Sequence, residues 1–305
     1  MTQHKAHKLQ IKLMGTIIDV TIFHQDPKPI LTEVERLLYL YERRFSANRP
    51  DSELMVVNDG AGQREISVHP DLYELIKLGK AHSCALGSNL NIAIGPLIQL
   101  WRIGFQDAKK PIHEEISQVL ALIDPNNIQL DDNRQSVYLL KKGMKIDLGA
   151  LAKGYIADKL LAYLKTVGVS AALINLGGNV LTMGKAPHQE DGYWRIGIQN
   201  PEKTRGINSL VLPIRDQSVV TSGIYERTLT IDGETYHHIF SSETGYPVQS
   251  DLASLTIISK RSVDCEIWTT RLFGKSLPAI MGEVALEPNI EAIAIMQDGN
   301  IYKSF

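Results

Sequence analysis

The sequence predicts an α+β fold, one unit of two interleaved α/β lobes over residues 1–305. Helical and strand patterns mix in the first half, whereas the chain beyond about residue 171 is dominated by short β-like runs. Residues 146 to 158, Ile-Asp-Leu-Gly-Ala-Leu-Ala-Lys-Gly-Tyr-Ile-Ala-Asp, read as the end of a strand, a turn and a helix start. No repeat, low-complexity run or linker marks a boundary anywhere.

In chain order, Lys8 to Leu13 and Thr16 to Phe23 alternate apolar and polar residues about Met14-Gly15, which predicts two strands or one strand interrupted at the glycine. Leu31 to Tyr41 puts Val34, Leu37, Leu38 and Tyr41 on one helical face, behind Thr32 as cap with Glu35 three residues on, and the helix ends near Phe45-Ser46. Ser46 to Leu54 is rich in breakers and reads as an ordered loop over a site or as plain surface. Pro70-Asp71 opens a helix that ends near Gly87 and carries Cys84 into the core. Gly95-Pro96 precedes a short helix with Trp101 as a core anchor. A further helix is expected from His113 to Ile123, and a strand pair from Ile128 to Leu140 about Asp131-Asp132-Asn133.

Met144 and Ile146 then form a short strand that stops at Asp147, and Leu151, Tyr155, Ile156 and Leu160 follow at helical spacing to about Gly168. A strand from Ala171 to Leu176 ends in Gly177-Gly178-Asn179, where paired glycines permit either close approach to a ligand or a bulge. Strands follow at Val180 to Met183, Trp194 to Gln199, Leu210 to Ile214 and Ser218 to Thr221. After them come a hairpin about Asp232-Gly233 and a strand from Leu252 to Ser259. Cys265 to Phe273 is helical, and a hairpin about Asp298-Gly299 closes the chain.

A formal net charge of −2 without a long basic run argues against nucleic acid or an anionic membrane surface as the main partner. The two cysteines, Cys84 and Cys265, lie far apart in helix-like surroundings, which disfavours a disulfide framework. No signal peptide, lipid-attachment cysteine or membrane span is visible, so direct membrane insertion is not expected and a cytoplasmic location is.

The chemistry concentrates at the helix start after Asp147. Its first turn exposes unpaired N–H groups and the positive end of the dipole, and Lys153 adds a full charge, a setting that suits phosphate. The alternative is an ordinary crossover in which Asp147 caps the helix and Lys153 is solvated. Glu266 and Thr270, one i,i+4 step apart, present oxygens on one helical face that can hold a hard cation, with a carbonyl from the Gly149-Ala150 turn as a third ligand; the alternative, which spacing alone favours, is a solvated Glu266 and a Thr270 bonded back to its own helix. His237-His238, with Thr221-Ser222-Gly223 and the other hydroxyl-rich turns, reads as a general base, a phosphate ligand or simply paired polar residues of a strand. A Gly-x-Ser-x-Gly elbow, a His-Glu-x-x-His helix and a Walker loop are all missing.

Taken together these segments resemble the ApbE family of flavin transferases. The resemblance runs through Met14-Gly15-Thr16, Phe45-Ser46, Asp51-Ser52-Glu53-Leu54, Asn58, Gly95-Pro96-Leu97, Leu100-Trp101, Asp147-Leu148-Gly149-Ala150, Lys153-Gly154 and Asp158. It continues through Gly177-Gly178, Thr221-Ser222-Gly223, Tyr225, His238-Ile239, Thr244-Gly245-Tyr246-Pro247 and the Trp268 to Phe273 helix. It implies a T-fold-related unit with a nucleotide site between its lobes. It also implies an FAD:protein FMN transferase that uses Mg2+ at the FAD pyrophosphate, moves FMN to a Ser or Thr hydroxyl of an acceptor flavoprotein and releases AMP. The nucleotide contacts it implies are Met14, Phe45, Ser46, Asn89, Leu90, Asn91, Asp147, Lys153, Gly177, Gly178, Ser222, His238 and Ile239. The metal positions are the Ala150 carbonyl, Glu266 and Thr270, and the catalytic groups are His238 and Lys153.

The chain departs from the family pattern in places. Glu266 stands where the family has Asp; Asp264 is a nearby competitor, but it lies six residues from Thr270, off a shared face at ~100° per residue. Ser242-Glu243 replaces Asp-Pro, and Leu90-Asn91-Ile92-Ala93 replaces a Phe-Asp-Pro-Thr-like segment. A Mg2+-dependent FAD pyrophosphatase and a non-catalytic FAD-binding protein are the alternative readings. The chain is expected to act as a monomer or homodimer.

Overall fold

The computed structural model describes residues 5–305. The leader-free reading of the N-terminus rests partly on residues 1–4, which lie outside them. In chain order the elements are β1 (Ala6–Leu13), β2 (Thr16–Phe23), α1 (Pro27–Phe45), α2 (Glu53–Asp59), β3 (Ile66–Ser67), α3 (Pro70–Ser83), α4 (Gly95–Trp101) and α5 (His113–Leu120). Then come β4 (Ile128–Asp131), β5 (Ser136–Leu139), α6 (Ala152–Thr166), β6 (Ala171–Leu176), β7 (Asn179–Met183), β8 (Trp194–Gln199), β9 (Asn208–Ile214) and β10 (Ser218–Gly223). The chain closes with β11 (Thr228–Ile231), β12 (Glu234–His237), β13 (Leu252–Ser259), α7 (Ser262–Leu272), α8 (Leu277–Ala285), β14 (Glu291–Met296) and β15 (Ile301–Lys303).

An eight-stranded sheet in the order β1-β2-β6-β7-β10-β13-β14-β15 draws strands from both ends of the chain, and every neighbouring pair is antiparallel. Period-two alternation sorts its side chains. Val220, Ala292 and Ala294 join the core under the helices, with Val34 and Leu38 of α1 and Ile156 and Leu160 of α6. Their sequence neighbours Val219, Ile293 and Ile295 join a separate cluster under the β8–β9 hairpin, with Trp194, Ile196 and Leu212. A third cluster gathers α4 and α5 with residues of the β11–β12 hairpin around Trp101, which is fully buried and donates its indole N–H to the Gly245 carbonyl (2.9 Å). This mixture of helix and antiparallel sheet is the expected α+β class.

Several local expectations change. Met14 and Gly15 are the two central residues of a tight hairpin turn, both at positive φ (53° and 71°), so β1 and β2 are separate strands paired from Leu13↔Thr16 onward. Helix α1 begins at Pro27, not behind Thr32, because Pro at the first turn has no N–H to satisfy. Part of the breaker-rich loop is helix α2, capped by the Ser52 hydroxyl on the Met55 N–H (3.1 Å). Met144 and Ile146 lie beside a single bridge, Ile94↔Lys145, and not in a strand. Cys84 is exposed, because α3 ends at Ser83 and turns the thiol outward. Among the described residues no helix is long and apolar enough to cross a membrane.

Candidate functional site

The site is built where α6 begins. Asn58, buried in α2, clamps the preceding backbone by donating to the Ile146 carbonyl (3.0 Å) and accepting from the Ile146 N–H (2.7 Å). The Asp147 N–H reaches the Ile92 carbonyl (2.8 Å), and its carboxylate accepts the Gly149 N–H (2.7 Å). Asp147 therefore shapes the turn and does not cap the helix, whose cap position is Leu151. Burial pushes the Asp147 carboxyl up, opposed by that N–H and by the charges of Arg227 and Lys153.

Helices α6 and α7 touch at Gly154. A Cβ there would lie 2.6 Å from the Ser262 carbonyl oxygen, 2.7 Å from Val263 Cα and 2.8 Å from Glu266 Cγ, so only glycine permits this approach. Asp158, one turn along α6, takes the first N–H groups of α7, those of Ser262 (2.8 Å) and Val263 (3.0 Å). Burial raises its pKa to about 6 despite these N–H groups. The pairing brings Lys153 to Glu266: the ammonium lies 3.4 Å from Glu266 Oε1 and 3.4 Å from the Gly149 carbonyl. Glu266 is 5% exposed and is the one charged side chain in the buried set among the described residues. A buried carboxylate needs compensation, which Lys153 and the Asn179 amide (2.9 Å) supply.

A cation thus already sits between a carbonyl of the Gly149-Ala150 turn and the Glu266 carboxylate, while the Ala150 carbonyl and the Thr270 hydroxyl make no hydrogen bond among the described residues. These oxygen donors fit a hard divalent ion. Among the described residues no three His, Cys, Asp or Glu side chains form a ligand cluster. Further oxygens for such an ion would have to come from substrate or water.

The two histidines differ. His237 accepts the Ile239 N–H at Nδ1 (3.2 Å) and donates from Nε2 to the Val248 carbonyl (3.0 Å), so both its nitrogens are spent. His238 turns Nδ1 to the Arg227 carbonyl (3.4 Å), which leaves Nε2 with its lone pair free. Burial, then the Arg227 charge, lowers the His238 pKa to about 4, with smaller contributions from His237 and Lys153. At neutral pH it is an uncharged imidazole able to accept a proton.

The other sequence-predicted positions divide. The Asn89 N–H contacts the Arg271 carbonyl at the end of α7 (3.1 Å), and its buried Nδ2 has no partner. Gly177 and Gly178, at φ 69° and 98°, form the β6–β7 turn that leads into Asn179; a Cβ at Gly177 would run into the Thr16 side chain beside the Met14 turn. The Met14 N–H is held by Glu42 (3.0 Å), and Ser46 accepts the Asn48 N–H (3.2 Å). Ser222 is half-buried without a hydroxyl partner among the described residues, and the Ile239 carbonyl accepts the Val248 N–H (2.9 Å). Phe45 stacks on Tyr41 and meets Tyr155 edge-on inside the core, and Leu90 is buried there too. Asn91 is saturated by the Ile123 carbonyl (2.7 Å), Ser242 (3.1 Å) and the Ala93 N–H (2.8 Å), so it ties loops together.

Sequence reasoning missed Arg227 and Asn179. Arg227 is exposed without an ion pair among the described residues, and its charge acts on both Asp147 and His238 more strongly than that of Lys153. Its place just before a hairpin gave no signal. Asn179 was legible only as the residue after two glycines.

A family model described as "ApbE family" matches residues 14–294. A protein of Klebsiella pneumoniae (strain 342) named FAD:protein FMN transferase is 38% identical over 304 residues, covering 100% of this chain and 93% of that protein. One of the same name from Treponema pallidum (strain Nichols) is 33% identical, covering 96% and 85%. Among solved structures, the ApbE protein of Thermotoga maritima superposes with a TM-score of 0.88 at 26% identity, covering 98% of this chain and 97% of that one. The flavin transferase ApbE of Vibrio cholerae gives 0.86 at 25% identity with the same coverage.

Proposed function

Because the chain belongs to the ApbE family, we propose that it is an FAD:protein FMN transferase, which cleaves the FAD pyrophosphate, passes FMN to a Ser or Thr hydroxyl of an acceptor flavoprotein and releases AMP. The observation that carries this reading is the Lys153 ammonium seated between Glu266 and the Gly149 carbonyl at the start of α6, where phosphate and cation chemistry meet. The strands that residues from both ends of the chain lend to one sheet support treating 1–305 as a single transferase domain.

In this mechanism the helix start, Lys153 and Arg227 hold the pyrophosphate oxygens, and Asp147 keeps the turn in shape. Mg2+ held by Glu266, the Ala150 carbonyl and the Thr270 hydroxyl would neutralise charge on the pyrophosphate. His238 Nε2 takes the proton of the acceptor hydroxyl as its oxygen bonds to the FMN phosphorus; the bridging P–O bond breaks, and AMP leaves with that electron pair. Asn89, with its unpartnered amide, and the Met14 and Gly177-Gly178 turns are assigned to the nucleotide. The free thiols, one of them exposed, support a reducing compartment and hence a cytoplasmic acceptor.

The test is incubation with FAD, Mg2+ and a candidate acceptor flavoprotein. A fluorescent acceptor band that survives a denaturing gel, with one AMP released per label, is expected. Steady FMN and AMP release without label across several acceptors would make the protein a pyrophosphatase, and no FAD cleavage with any divalent metal would make it a binding protein.

A further inference from the structure

Glu266 carries its carboxylate on a two-methylene arm, which has rotamer freedom to lose before it can serve as a ligand. Its surroundings remove that freedom. Asn179 opens β7 and is 2% exposed; its Nδ2 donates to Glu266 Oε1 at 2.9 Å. The amide is held at both ends: the carboxylate, which only accepts, takes the NH2 end, and the Ser262 hydroxyl donates to Asn179 Oδ1 at 2.8 Å. Ser218 Oγ lies 2.9 Å from Ser262 Oγ and 2.8 Å from the Val180 carbonyl and shares its single proton between these two acceptors. Ser218 and Ser262 are fully buried. The chain runs from the sheet, through the first residue of α7, to the carboxylate.

We propose that Asn179, locked by Ser262, is a positioning residue that fixes one oxygen of Glu266 and thereby aims the other at the divalent cation. The inference rests on the reading of Glu266 as a metal ligand. Asn179 and Lys153 both meet Oε1, at 2.9 Å and 3.4 Å, which leaves Oε2 as the oxygen to be aimed.

The experiment is a Mn2+ titration of the full-length protein by electron paramagnetic resonance, run beside the Mg2+ dependence of turnover, for Asn179→Ala, Ser262→Ala and Glu266→Gln. Asn179→Ala should weaken Mn2+ by roughly 10–100-fold and raise the half-saturating Mg2+ in parallel, with the loss concentrated there and not in kcat. Ser262→Ala keeps the amide but frees it to turn, and should weaken Mn2+ at least threefold; it decides the matter if Asn179→Ala does not fold. Weakening below threefold in the folded variants, or a kcat loss that saturating Mg2+ leaves untouched, overturns the proposal. Glu266→Gln separates the two levels: if it binds Mn2+ as the parent does, the metal reading itself fails, whereas loss in Glu266→Gln with parental binding in both other variants removes only the role of Asn179.

Discussion

On one face of the sheet the β8–β9 hairpin lays Trp194, Ile196, Ile198, Leu212 and Ile214 on Phe23, Val219, Ile258 and Ile293, and the contact is apolar throughout. On the other face, between α6 and α7, Glu266, Asn179, Ser262 and Ser218 are buried just as deeply and are joined by hydrogen bonds. Both regions are buried, and they use burial differently. The hairpin face converts buried area directly into stability. The helix junction gives up part of that gain to keep a carboxylate and an ammonium a few ångströms apart where electrostatic effects are strong. The contrast teaches that burial alone does not mark structural residues; what the buried atoms are bonded to does.

The largest expected effect lies in the helix junction. Glu266→Ala should lower Mg2+-dependent turnover by about 10²–10³-fold while the thermal midpoint stays within a few degrees of the parent. If Asp264→Ala produces that loss instead, the α7 alignment is off by two residues, and if Glu266→Ala unfolds the chain the two regions are alike after all. Trp194→Ala is the counterpart across the sheet. It should cost roughly 3–5 kcal/mol in urea unfolding, with activity per folded molecule retained; a kinetic defect in the folded fraction would break the division.

His238 tests the junction through pH. Its folded pKa of about 4 lies below the ordinary 6.5, so above pH 6.5 folded and unfolded chains are both neutral there and the group contributes no pH dependence. Between about 6.5 and 4 the unfolded chain binds a proton that the folded chain refuses, and stability falls as pH falls, by at most ~3 kcal/mol. Urea unfolding of His238→Gln should lack this component, and the parent's kcat/KM should show no inflection near pH 6.5. The smallest effect is expected for Lys153→Ala, a roughly tenfold loss of FAD affinity in a fluorescence titration, the scale of one charge-assisted contact to phosphate. Parental affinity and turnover would return Lys153 to the surface role of an ordinary crossover helix.

What the sequence disclosed follows from how local each signal is. Strands and hairpins came through because period two and Asp-Gly turns are read within a few residues: Asp232 and Gly233 do sit at φ 53° and 81° in the β11–β12 turn. Helix α2 was hidden because it has seven residues among breakers, and α8 because the segment after Phe273 carried no strong pattern. Sequence reasoning assigned Lys153 and Glu266 separate roles, at phosphate and at metal, and did not pair them, since the residues lie 113 apart in sequence and meet through the close approach at Gly154. Asn179 and Arg227 owe their places wholly to tertiary packing, and the saturation of Asn91 cannot be guessed without its partners at 123 and 242.

The glycine contact between α6 and α7 also has a meaning for how this chain can drift. With Glu at 266, the would-be Cβ at 154 meets the γ-methylene at 2.8 Å, and shortening 266 to Asp would put the carboxyl carbon in the γ position and leave the clash in place. The Ser262 carbonyl at 2.6 Å and Val263 Cα at 2.7 Å would remain, both main chain and unable to retreat without moving the helix. Substitutions therefore have an order: position 266 is free to exchange one carboxylate length for another while 154 stays glycine, but no change at 266 opens 154. A lineage can alter how far the acid reaches, yet the distance from which it reaches is inherited unchanged.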